Sequence, residues 1–138
     1  LKEQVPNRHL IYDNVDLFPG CEFIYLKPPQ TQADEHSSDF SIEFDNFKDS
    51  VNEILDHFDV ALVSCGGYGN PICGHIYSKG KSAIYVGGVL QMYFGILGNR
   101  WIQERNDVVQ LFYNDFWKRP KPSEKPKNCN KVENACYW

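Results

Sequence analysis

Residues 59–101 read DVALVSCGGYGNPICGHIYSKGKSAIYVGGVLQMYFGILGNRW, and the order of elements in this stretch decides the fold. Val60-Ala61-Leu62-Val63 is a short unbroken apolar run, the pattern of a parallel strand covered on both faces. Gly66, Gly67 and Gly69 follow at once, then Asn70-Pro71. Asn is a preferred N-cap, and Pro at the first helical position has its φ already set and gives up no needed N–H. A helix from Pro71 is therefore expected to end near Lys79, with Gly80 as its left-handed stop. Ser82 to Val86 supplies a second strand, and Gly87-Gly88 opens the next helix, over Val89 to Leu97. Strand, glycine turn, helix, strand, glycine turn, helix implies an α/β fold: a Rossmann-like parallel sheet flanked by helices.

Ligands of open α/β sheets bind in the crevice outside the carboxyl ends of the strands. Helix N-termini there offer unpaired N–H groups and partial positive charge, and glycines let backbone approach an anion without a Cβ in the way. Gly66, Gly67, Tyr68, Gly69 and Asn70 are accordingly candidates for a phosphate or sugar cradle, with Gly87, Gly88 and Gln91 as the opposing wall. The plainer reading is that the glycines only make tight turns. Gln91 is equally well placed to point into the crevice or to face solvent. Gly95 and Gly98 favour a break before Asn99-Arg100-Trp101, and the Arg100 guanidinium fork suits a diphosphate. A surface arginine is the alternative there. His75, on the helix after the first turn, is the candidate general base, although a core or surface role is commoner for such a histidine.

Outward from this centre the pattern is more ordinary. Phe44, Phe47, Val51, Ile54, Leu55 and Phe58 recur at spacings of three and four, an amphipathic helix with Asp45, Asp49, Glu53 and Asp56 on its wet side. His57 falls near its end, where the helix dipole suits it. His9 to Tyr12 is compatible with a brief strand, and Cys21 to Leu26 reads as a strand halted by Pro28-Pro29. Asp34-Glu35-His36 is a conceivable metal or base cluster, but an exposed polar loop is the commoner meaning. Asp107 to Trp117 is expected to be helical. From Lys118 to Lys131 six basic residues stand against Glu124 alone, with Pro120, Pro122 and Pro126 interspersed, which describes an extended arm. The arm ends in Val132-Glu133-Asn134-Ala135-Cys136-Tyr137-Trp138, whose apolar residues need a groove. The organisation expected is an α/β domain over 1–117 and an arm over 118–138 that packs back on it.

Composition excludes several classes. A net charge of −4 and a pI near 5.5 argue against a nucleic-acid surface. No apolar run approaches the ~20 residues a membrane span requires. The five cysteines show no CxxC spacing, so free thiols and a cytoplasmic address are expected. The chain opens Leu1-Lys2-Glu3-Gln4 without an initiator Met, and a piece of a longer polypeptide is expected. Gly80-Lys81-Ser82 fails as a P-loop because His75 stands where the first glycine belongs and the triplet precedes a strand. A dinucleotide fingerprint from Gly67 meets Ile72 at its third position and lacks the later acidic residue. That lack also weakens S-adenosylmethionine binding. Glu43 and Asp45 read as helix-dipole decoration, and Ser64 is not in a GxSxG elbow.

The core from Val63 to Trp101, together with FYNDFWKRPKPSEKPKNCNKVENACYW, resembles a family of bacterial and viral proteins from surface-polysaccharide gene clusters that is similar to GT-D-type glycosyltransferases. The matching positions are Gly66, Tyr68-Gly69, Gly87-Gly88, Gln91, Phe94-Gly95, Gly98 and Arg100-Trp101, then Trp117, Arg119-Pro120, Glu124, Pro126, Glu133 and Cys136-Tyr137-Trp138. The resemblance covers the second half well and the first third loosely. It implies a Rossmann-like fold, a nucleotide-diphospho-sugar donor, and a glycan or lipid-linked acceptor. Arg100 and Arg119 would neutralise the departing diphosphate. Such enzymes carry an acidic Asp-x-Glu metal motif in their N-terminal half, and it is missing here. Either the chain is the C-terminal half, partnered by the absent N-terminal half, or the chemistry differs; ligands for Mn or Mg are not identifiable. A non-catalytic module binding nucleotide or protein is the alternative, and a methyltransferase using S-adenosylmethionine the third.

Overall fold

The computed structural model describes residues 1–14, 16–18, 20–33 and 39–138. In chain order its regular elements are α1 (Arg8–Ile11), α2 (Phe40–Glu53), β1 (Val60–Val63), α3 (Gly69–Ser78), β2 (Ser82–Tyr85), α4 (Leu90–Tyr93), α5 (Asn99–Glu104) and α6 (Asn106–Phe112). The fold is mixed α/β with a two-stranded parallel sheet among the described residues. Backbone contacts divide the chain into two compact units. The first holds Leu1–Phe23, Gln32–Glu35 and Gln91–Trp138, and the second Ile24–Thr31 and His36–Leu90. No helix among the described residues is long and apolar enough to cross a membrane.

The second unit is built on a strand–helix–strand crossover. β1 and β2 pair in parallel from Val60↔Ser82 to Val63↔Tyr85, and the Val86 N–H extends the ladder to the Val63 carbonyl at 2.9 Å. Parallel neighbours need a long connection, and α3 provides it. Gly69, Ile72 and Ile76 fall on its buried face at spacings of three and four. Phe47, Val51, Val63, Tyr68, Ile72 and Ile76 form the core, with Ala61 and Ala83 against it. α2 starts where the Asp39 carboxylate accepts from the Ser41 N–H at 2.7 Å, an N-cap.

Several expectations need correction here. The strands are covered on one face only: Val60 is 51% and Ile84 54% exposed while Val63 is buried, because the core packs on alternate residues. α3 stops at Ser78, and Gly80 (φ +80°) follows in the left-handed region as expected. It begins at Gly69, before Pro71, because the 3-10 turn Gly66–Tyr68 runs directly into it and Asn70 is inside rather than capping. The periodicity from Phe44 to Phe58 spans two elements, α2 and a separate 3-10 turn Leu55–His57. Cys21 to Leu26 is not a strand: it lies outside the β1–β2 ladder, the sheet that the described residues form. The Asp34-Glu35-His36 cluster lies outside the described residues.

The first unit has its own core of Ile11, Met92, Leu97, Trp101, Val109 and Trp117. His9 to Tyr12 is largely helical, as α1, because one helical turn drives Ile11 fully into that core. Tyr12 stands edge-on to Phe112 and Trp117 at 5.2 and 5.8 Å, and its hydroxyl donates to the Met92 carbonyl at 2.6 Å. Gln4 is buried because its amide donates to the carbonyls of Phe94 at 3.0 Å and Phe116 at 2.8 Å. The helix expected over Val89 to Leu97 is short: α4 breaks where Gly95 turns left-handed (φ +63°), leaving Ile96 to bridge Lys118. A Cβ on Gly95 would sit 2.6 Å from Ile11 Cδ1. α6 ends at Phe112, not Trp117, since the Asn114 side chain accepts from the Phe116 N–H and donates to the Leu10 and Ile11 carbonyls.

Residues 118–138 run through short 3-10 turns, and Ala135 and Cys136 are buried. Their backbone passes so close to Gly98 that a Cβ there would lie 2.9 Å from the Cys136 carbonyl oxygen. Glu133, Asn134 and Ala135 all have left-handed φ, of 44°, 54° and 58°. Each such residue with a Cβ costs on the order of 1–2 kcal/mol, somewhat less for Asn.

Candidate functional site

Because Val63 and Tyr85 are register partners, the turns Gly66–Tyr68 and Gly87–Val89 leave neighbouring strand ends on the same edge of the sheet. Gly66 (φ +52°) and Gly87 (φ +63°) occupy backbone that L side chains rarely adopt. Among the described residues nothing lies within 4 Å of a Cβ built on Gly66, Gly67 or Gly87, so the space beside these three glycines is open. Asn70 is exposed and Gly88 half-buried.

Two of the nominated cradle residues have packing reasons for their identity. Tyr68 is buried, stacked on Phe40 with ring centroids 4.8 Å apart, and its hydroxyl meets Thr31 Oγ1 at 3.2 Å. Gly69 has ordinary helical dihedrals, but a Cβ on it would fall 2.2 Å from Tyr85 Cε2. The Tyr85 ring lies on that corner, its hydroxyl donating to the Gly66 carbonyl at 3.3 Å.

His75 sits six residues into α3, about 9 Å along the axis from Gly69 at 1.5 Å per residue. Its Nε2 is 2.8 Å from Asn52 Oδ1 of α2. Partial burial, then the nearby Lys79 and Lys48, hold its pKa below the usual histidine value, so it is neutral at pH 7. Burial, followed by the neighbouring Cys73, pushes the Cys65 thiol up to about 11, which rules it out as a thiolate nucleophile at neutral pH.

Gln91, Arg100 and Arg119 belong to the first unit, and all three meet the last residues of the arm. Gln91 Nε2 donates to the Tyr137 carbonyl at 3.2 Å. Arg100 Nη1 donates to the Tyr137 hydroxyl at 3.2 Å, its guanidinium stands over the Tyr137 ring, and Nη2 pairs with the Glu133 carboxylate. Arg119 Nη1 donates to the Leu97 carbonyl at 2.9 Å, and Nη2 to Asn99 Oδ1 at 2.6 Å and the Trp138 carbonyl at 3.2 Å. Gln91 Oε1 and Arg100 Nε are buried with no hydrogen-bond partner among the described residues; Nε forms an ion pair with Glu104 at 3.6 Å, beyond hydrogen-bond reach.

Tyr85, Glu133 and Tyr137 are what residue-by-residue reading missed as contact residues. Tyr85 falls inside the strand expected over Ser82 to Val86, just before a glycine turn, and in the structure it is the last residue of β2. The Arg100–Glu133 pair spans 33 residues, and no local spacing announces it. Among the described residues no group of three or more His, Cys, Asp or Glu is arranged to hold a metal ion. An open concavity of about 310 Å³ lies in the second unit between the Lys27–Gln30 segment and α2, lined by Glu43, Asn46 and Ser50 among others and by none of the glycine turns. No family model matches the chain, and neither a curated protein nor a solved structure matches it.

Proposed function

We propose that this chain is a glycosyltransferase domain, of the GT-D-like kind that its residues resemble, and that the β1–α3–β2 crossover is the donor-binding part of a Rossmann-like fold. The donor is a sugar nucleotide and the acceptor a glycan or lipid-linked sugar of a surface polysaccharide. The observation that carries the reading is the pair of open glycine turns, Gly66–Tyr68 and Gly87–Val89, at adjacent ends of a parallel strand pair. Backbone at such turns can approach the departing diphosphate, whose charge must be stabilised as the glycosidic bond breaks. The acceptor hydroxyl needs a base, and His75 is neutral but poorly placed for it. A cytoplasmic address fits the free thiols. Mn or Mg would accompany the donor.

One observation favours the non-catalytic module instead: packing alone accounts for Tyr68 and Gly69. Calorimetry and thermal shift with UDP- and GDP-sugars, with and without Mn²⁺, separate the readings. Donor binding accompanied by slow donor hydrolysis supports the transferase. Binding without hydrolysis or transfer supports the module. Stabilisation by S-adenosylmethionine alone would sink both in favour of methyl transfer.

A further inference from the structure

The first unit contains a cluster that the glycine turns do not explain. Gln91, Arg100 and Arg119 come from α4, α5 and the start of the arm, yet each donates to residues 133–138. The Arg100 fork is filled by a carboxylate, that of Glu133. The strap that brings this carboxylate in is held in three consecutive left-handed non-glycine residues, Glu133, Asn134 and Ala135. Runs of this kind persist only where their surroundings enforce them, and they concentrate at ligand clamps and switches. Among the described residues Arg100 Nε is buried without a hydrogen-bond partner, its nearest acid being Glu104 at 3.6 Å. A purely structural tail would be expected to relax its backbone, and this one keeps three left-handed residues in a row.

We infer that Gln91, Arg100 and Arg119 form a phosphate-binding site that the chain's own Glu133 carboxylate occupies here, and that a phosphorylated ligand displaces the 133–138 strap. A phosphoryl group has three oxygens and more charge than a carboxylate, so it reaches Nε as well as Nη2 of the Arg100 fork. The Leu97 carbonyl holds Arg119 from outside the strap, whereas Asn99, which accepts from Arg119, itself donates to the strap's Ala135 carbonyl at 3.3 Å. Displacement releases the left-handed run. Ligand affinity is therefore reduced by the fraction of molecules whose strap is closed. The site does not depend on the glycine turns of the other unit.

The test titrates inorganic pyrophosphate at constant ionic strength into the full chain, as wild type, Glu133→Gln, Gly98→Ala and Arg100→Gln. Glu133→Gln removes the resident charge. Gly98→Ala pushes on the Cys136 carbonyl and opens the strap without altering any charged group. Both are expected to bind pyrophosphate about tenfold more tightly than wild type, because both raise the open fraction. Arg100→Gln, alone or combined with either, is expected to weaken binding at least about tenfold, the loss of a charge-assisted fork. Hydrogen exchange at 133–138 in the wild type should speed up as pyrophosphate is added, and this reading stands even if a variant folds poorly. Equal affinity of wild type, Glu133→Gln and Gly98→Ala overturns the inference, as does unchanged exchange over 133–138. Binding that survives Arg100→Gln and protects residues 66–70 instead also overturns it, while leaving the donor-site reading intact.

Discussion

A Cβ on Gly69 would meet the Tyr85 ring at 2.2 Å, although the Gly69 backbone is ordinary helix. The conflict is with the far end of a half-exposed side chain, so Gly69→Ala should swing the ring away and break its bond to the Gly66 carbonyl. The expected cost is about 1 kcal/mol, the low end for over-packing. In a Tyr85→Ala background the same substitution should cost nothing, since its opponent is gone. Urea denaturation of the four chains measures that coupling directly, and purely additive costs would mean the ring is not what demands the glycine. His75 gives a second prediction at this scale. Its folded pKa lies below the usual value, chiefly through burial, so the unfolded chain binds the proton more readily. The stability it contributes is present above about pH 6.5 and is lost as pH falls through the folded pKa. Relative to His75→Gln, the wild type should lose a little melting temperature between pH 6.5 and 5. A parallel pair of pH profiles would contradict this.

At the scale of elements, α3 ties the second unit together, and Ile72 is its most buried side chain, 1% exposed. Ile72→Ala removes three carbons from a closed core and should destabilise by about 2–5 kcal/mol, against about 1 for Ile72→Val. Denaturant midpoints decide it, and a loss under about 1 kcal/mol for the alanine would mean the unit collapses freely onto the cavity. This crossover was also the most legible part of the chain. An unbroken apolar run, glycines, a 3.6 period and a stopping Gly80 are local signals, and they placed β1, α3 and β2 within two residues. What failed depended on distant partners. His9 to Tyr12 has strand-like composition, but Ile11 is claimed by Trp117, whose indole donates to the Ile11 carbonyl from 106 residues away. Cys21 to Leu26 has the composition of a strand but belongs to neither strand of the described sheet. The helix after Gly87-Gly88 broke early at Gly95, whose left-handed φ and contact with Ile11 are tertiary facts. For the candidate site the split is similar: the glycine turns were readable, whereas the partners of Gln91, Arg100 and Arg119 lie 19 to 46 residues further along.

For the whole molecule, the five cysteines set a simple expectation. Cys21 is exposed, Cys65, Cys73 and Cys129 are half-buried, and Cys136 is buried; all five are free thiols. No cross-link contributes to stability, so removing reductant should leave the melting temperature unchanged. Burial, then the hydrogen bond to Glu133, raises the Cys136 thiol to about 11, and Cys65 stands near the same value through burial and Cys73. The thiolate is the species that alkylates, and its fraction at pH 8 is on the order of one part in a thousand for a thiol titrating near 11. Iodoacetamide at pH 8 should therefore modify Cys21 first and Cys65 and Cys136 last, read by peptide mass spectrometry over time. The order also bears on the strap. Cys136 donates to the Glu133 carboxylate at 3.2 Å, so any ligand that lifts residues 133–138 should both expose this thiol and remove one cause of its raised pKa. Pyrophosphate should then accelerate alkylation of Cys136 selectively and leave Cys65, whose raised value comes from burial and Cys73 in the other unit, at its original rate. Equal acceleration at both thiols would point to general loosening of the chain, and no acceleration at Cys136 would mean the strap stays shut.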